Sequence, residues 1–78
     1  MKYVAEITDL MAAFPGRDFK MAEIVRYVAG GRKLDRRGTE AVRRSTRNAL
    51  HTMQETGVIL VRPPTALRGG FALYRWRH

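Results

Sequence analysis

The sequence contains no cysteine, so neither a disulfide nor a cysteine-based zinc site can staple the fold. Histidine is nearly as scarce, with only His51 and His78, and no structural metal or other cofactor is expected. No run of about 18 apolar residues occurs, so no membrane-spanning helix is expected. Glu6 and Asp9 interrupt what would be the apolar stretch of a secretory leader. Lack of cysteine fits a reducing compartment, and a cytoplasmic location is the expectation. Acidic residues are few, seven against fifteen basic ones, which leaves a formal net charge of +8.

What is present describes a small folded domain. With 78 residues the chain is one domain, and its core must be modest. A hydrophobic fraction of 45% is too high for a disordered basic tail. Twelve of the fifteen cations are Arg, whose planar fork of donors suits phosphates and guanine edges. A chain merely rich in Arg through its coding composition would look the same in bulk, so placement matters more than number. Residues 1–31 hold four cations and four anions. Residues 32–78 hold eleven cations and three anions, so the whole excess lies in the second part.

Periodicity predicts three helical segments followed by two strands. The first helix covers about residues 3–14, where Val4, Ile7, Leu10, Met11 and Phe14 share one face and Pro15-Gly16 stops the run. The second covers about 19–29, with Asp18 as N-cap, Ala22, Ile24, Val25 and Val28 as its buried side, and Gly30-Gly31 at its end. Residues 32–38 form a basic connector with Leu34 as anchor. The third helix covers about 39–56 and closes at Gly57. Thr39 suits its N-cap, and Asp35 offers an alternative cap for an earlier start. Strands are expected at about 58–62 and 71–76, joined by a long loop through Pro63-Pro64 and Gly69-Gly70. A lone hairpin is marginal in water, so one face must lie on the helices, and Val58, Leu60, Phe71, Leu73, Tyr74 and Trp76 are expected to supply it.

The third helix carries the chemistry. At about 100° per residue, Val42, Thr46, Ala49, Leu50 and Met53 fall in one arc, the core face. Arg44, Arg47, Asn48 and His51 fall opposite, flanked by Glu40 and Gln54, with Arg43 towards one edge. Arg and Asn are the side chains that read guanine and adenine edges, and a helix fits the major groove. A solvated charged face is the plain alternative, but such faces usually mix signs. Between Arg32 and Arg47 seven cations meet only Asp35 and Glu40, and their mutual repulsion gives the fold nothing. The hairpin is a second basic feature, with Arg62 and Arg68 bracketing its loop and Arg75 and Arg77 beyond. That loop could follow a phosphate backbone or enter a minor groove, or simply be kept soluble by its arginines.

Three stretches resemble a known family. Residues 49–59, Ala-Leu-His-Thr-Met-Gln-Glu-Thr-Gly-Val-Ile, look like a recognition helix running into the first strand of a wing. Gly69-Gly70-Phe71-Ala72-Leu73-Tyr74-Arg75 resembles the returning wing strand. Phe19-Lys20-Met21-Ala22-Glu23-Ile24-Val25 resembles the start of a second helix, sometimes preceded by a short β-bridge to the wing. Together they are similar to the winged helix-turn-helix family across nearly the whole chain. The resemblance implies an α+β, mainly helical fold of three helices followed by a two-stranded antiparallel wing. It also implies a small bacterial or phage transcriptional regulator, or an accessory protein, that binds double-stranded DNA in a sequence-specific way. Helix three would enter the major groove, with Arg44, Arg47 and Asn48 on bases and His51 nearby. Arg36, Arg37 and Arg43 would hold phosphates, and Arg62 and Arg68 would grip the flanking backbone.

Other readings stay open at the level of sequence. The basic face could dock on an acidic protein in a nucleoprotein or phage–host complex, or on structured RNA. Homodimerisation would need a symmetric apolar patch, for which the first helix or the Tyr74–Trp76 strand are the places to look. An enzyme is not expected. There is no Cys nucleophile and no carboxylate pair, Ser45 and His51 lie on different faces of one helix, and Gly30-Gly31 lacks the rest of a phosphate-binding motif.

Overall fold

The computed structural model describes residues 1–77, with Arg68 described by its backbone alone. The elements in chain order are α1 (Val4–Ala12), β1 (Asp18–Lys20), α2 (Met21–Ala29), α3 (Arg36–Glu55), β2 (Ile59–Arg62), a 3-10 turn (Ala66–Arg68) and β3 (Leu73–Trp76). The fold is α+β and mainly helical, three helices against one antiparallel sheet. Its order differs from three helices followed by a two-stranded hairpin, because β1 precedes α2 and makes the sheet three-stranded, β1-β3-β2. Three residues are too few to show a period of their own. β1 exists because Phe19 lies opposite Tyr74 on β3, more than fifty residues away.

The local chemistry accounts for the helix boundaries. α1 ends at Ala12, earlier than expected, since a residue before proline avoids helical dihedrals and Phe14 precedes Pro15. Phe14 is consequently exposed. At the start of α2 the cap is Lys20 rather than Asp18, and the Lys20 backbone N–H donates to Glu23 Oε1 at 2.9 Å. α2 stops at Gly30, which adopts φ 63°, and Arg32 covers its carbonyl end by donating from Nε to the Ala29 oxygen at 2.7 Å. α3 begins at Arg36 rather than Thr39. Asp35 is its N-cap and accepts from the Gly38 N–H at 2.7 Å. The expected seven-residue connector is thus shorter, and Arg36 and Arg37 belong to the first turn of the helix. At the other end, Gly57 with φ 82° donates to Gln54 O and Val58 donates to Met53 O, a Schellman closure that turns the chain into β2.

The core lies where the three helices meet the sheet. Ile7 and Met11 from α1, Ile24 and Val28 from α2, and Val42, Ala49, Leu50 and Met53 from α3 close on Phe19 and Ile59. Thr46 is buried among them, as the helical arc required. Ala22 is exposed, and Val25 packs only at the margin of the core. The sheet meets the helices with the opposite parity to that expected in β2. Ile59 is buried and Val61 packs on the core, while Leu60 is 45% exposed and Val58 and Phe71 also face solvent. Successive strand residues point to opposite faces, and every residue from Val58 to Val61 is apolar, so no alternation in the sequence sets the phase. Pairing sets it. Ile59 lies opposite Trp76 and Val61 opposite Tyr74, which puts all four on the core side. The outer side carries Leu60, Leu73, Asp18, Lys20, Arg62 and Arg75.

Candidate nucleic-acid interface

A 20-residue helix is about 30 Å long, close to the 33 Å longest dimension of the molecule. α3 therefore presents one uninterrupted face nearly as long as the molecule itself. Arg36, Arg37, Arg43, Arg44, Arg47, Asn48 and His51 are all exposed on it, as are Glu40, Gln54 and Glu55. The face is polar in two senses. From Arg36 to Arg47 it holds five arginines and one acid, Glu40; from Asn48 to Glu55 it holds no Lys or Arg and one acid. Positive charge is concentrated in the N-terminal half.

That half is also where the helix itself is positive. The aligned peptide dipoles put a partial positive charge at the first turn, where acids stabilise and cations do not, each by about 0.3–1 kcal/mol. α3 has no acid in that turn and has Arg36 and Arg37 there. The Asp35 carboxylate at the N-cap meets that end of the dipole, while Arg36 and Arg37 oppose it and leave the first turn with net positive charge.

The arginines divide by partner. Arg17 reaches Glu23 at 3.4 Å and sits over the rings of Phe14 and Phe19 at 5.5 and 4.7 Å. Arg32 closes α2. Arg62 and Arg75 lie 3.8 and 4.0 Å from the two oxygens of Asp18. Among the described residues, Arg36, Arg37, Arg43, Arg44 and Arg47 have no acidic or hydrogen-bonding partner. His51 does have one, with Nε2 3.1 Å from Glu55 Oε1 one turn on. Arg62, expected on the wing as a free phosphate contact, shares Asp18 with Arg75 on the outer face of the sheet. The same expectation for the Arg68 side chain lies outside the described residues.

Sheet and helix meet at a shallow groove of about 120 Å³, lined by Arg47, Leu50, His51, Gln54, Val61 and Tyr74. It brings the β2–β3 pair alongside the C-terminal half of α3, so helix face and hairpin form one continuous surface. Gln54 shares the helical arc of Arg47 and was legible there. Tyr74 joins only through strand pairing. A larger groove of about 360 Å³, lined by Leu10, Arg17, Phe19, Glu23, Arg26 and Tyr27, shares no residue with α3. Among the described residues no cluster of His, Cys, Asp and Glu could hold a metal ion, and no helix is long and apolar enough to cross a membrane. No family model matches the chain, and no curated protein or solved structure matches it.

Proposed function

We propose that this is a winged-helix domain that binds double-stranded DNA sequence-specifically, as a small transcriptional regulator would. The N-terminal half of α3 enters the major groove and the β2–β3 hairpin lies on the flanking backbone. One observation carries the reading: among the described residues, five arginines without an acidic or hydrogen-bonding partner share one helix face, whereas four others are paired or capping and the remaining unpaired ones, Arg26 and Arg77, lie singly elsewhere. The β1–β3 pairing supports it further, since the family resemblance allows a short bridge from the start of the second helix to the wing. The extension of α3 to Arg36 moves Arg36 and Arg37 onto the helix end. There they are suited to the phosphates beside the groove while Arg44, Arg47 and Asn48 reach bases.

The test compares arginines rather than total charge. Arg44→Ala and Arg47→Ala should each weaken binding to a selected duplex by about 1–3 kcal/mol and relax its sequence preference. Arg17→Ala removes the same charge from a paired site and should leave affinity nearly unchanged. Equal losses in all three, measured by fluorescence anisotropy, would mean that bulk charge alone does the binding. Retention of an acidic protein with no duplex affinity would favour the protein-docking reading instead.

A further inference from the structure

The most exposed large apolar side chain among the described residues is Leu67, at 99%. It sits at the tip of the β2–β3 connection, in the 3-10 turn, and it is not on a frayed end. Gly69 donates to the Ala66 oxygen at 3.2 Å and Gly70 to the Thr65 oxygen at 3.0 Å, so two hydrogen bonds close the turn behind it. Gly69 and Gly70 adopt φ of 73° and 81°, which a side chain would resist. A Cβ on Gly69 would also come within 3.3 Å of the Phe71 ring. The turn is thus built to hold Leu67 away from the body. Partly exposed apolar surface at Leu60 and Phe71 is available on the same hairpin, yet Leu67 covers none of it.

The surroundings choose the partner. From Thr56 to the last residue the chain has four arginines and no acid. Asp18 of β1, beside Arg62 and Arg75, offsets only part of that charge, and an apolar tip on a net basic hairpin complements a surface that is anionic outside and apolar within. The minor groove of a duplex has that character, with phosphate walls and stacked base faces that open at a kinked step. We infer that Leu67 is a wedge that enters the minor groove and partly unstacks one base step while α3 occupies the neighbouring major groove. This rests on the DNA-binding reading, and it adds that the protein bends its site rather than reading a straight one.

The experiment separates the two. The probe is an alternating T-A duplex with 2-aminopurine at its adenines, because such steps unstack readily and 2-aminopurine brightens when it does. Anisotropy reports binding and fluorescence intensity reports unstacking, at low salt with the intact chain. The wild-type protein should bind and raise the intensity. Leu67→Ala should still bind but lose the rise, and Leu67→Phe should keep it. Far-UV circular dichroism checks that the variants fold, which full exposure of the site favours. Binding by the wild type without a rise, or an undiminished rise with Leu67→Ala, overturns the wedge and leaves DNA binding intact. Failure of the wild type to bind either this duplex or a mixed-sequence duplex pool at low salt overturns both, since phosphate contacts alone should hold some duplex there.

Discussion

Thr46 lies wholly within the core, and its hydroxyl oxygen has no hydrogen-bonding partner among the described residues. Burying an unpaired hydroxyl costs about 1–3 kcal/mol. Thr46→Val keeps the shape and removes that cost, so it should raise stability by about 1 kcal/mol in urea denaturation. A loss of stability would show that the hydroxyl is bonded in solution. The arginines teach a second residue-scale lesson. The sequence shows twelve equal cations, but their surroundings differ. Arg32 ends a helix and Arg17 stacks on two rings, so both already have contacts within the fold. The sequence places Arg44 and Arg47 on the outer arc of a helix, but it does not show that Arg17 is engaged, because Glu23, Phe14 and Phe19 meet Arg17 only after α1, β1 and α2 assemble.

At the scale of elements, α3 was the most legible. Its five-residue core arc follows from periodicity alone, since the geometry of a long helix is set by its own hydrogen bonds. Its ends depended on side-chain caps. Asp35 wins over Thr39 because a helix starting earlier gains a turn of backbone hydrogen bonds and the 2.7 Å bond to Gly38. The C-terminal closure relies on Gly57, where a Cβ would have room but the left-handed backbone would be strained. Gly57→Ala should cost about 1–2 kcal/mol in thermal or chemical unfolding. A change near zero would mean that α3 and β2 are not joined by this turn. The strands were less legible. β1 has no period of its own and was signalled only by the family resemblance of residues 19–25, and the apolar run of β2 fits either face equally well.

For the whole molecule, charge is the controlling quantity. The net +8 is carried by residues 32–78, which build α3 and the hairpin, while residues 1–31, which build α1, β1 and α2, hold equal numbers of cations and anions. If three to five arginines contact phosphates, duplex affinity should fall with salt at a log–log slope of roughly −3 to −4.5. A slope near zero between low and moderate salt would exclude a phosphate-based interface. Stability should move the other way, rising modestly with salt as repulsion along α3 is screened.

The sequence by itself determined the helix-rich architecture, the core face of α3 and the segregation of charge, because each depends on local periodicity or on order along the chain. Only the tertiary structure decided the third strand, the inward face of β2, and which arginines are committed within the fold. It also set Leu67 at the apex of the hairpin. These depend on partners distant in sequence, and a side chain's availability is defined by what the folded chain places beside it.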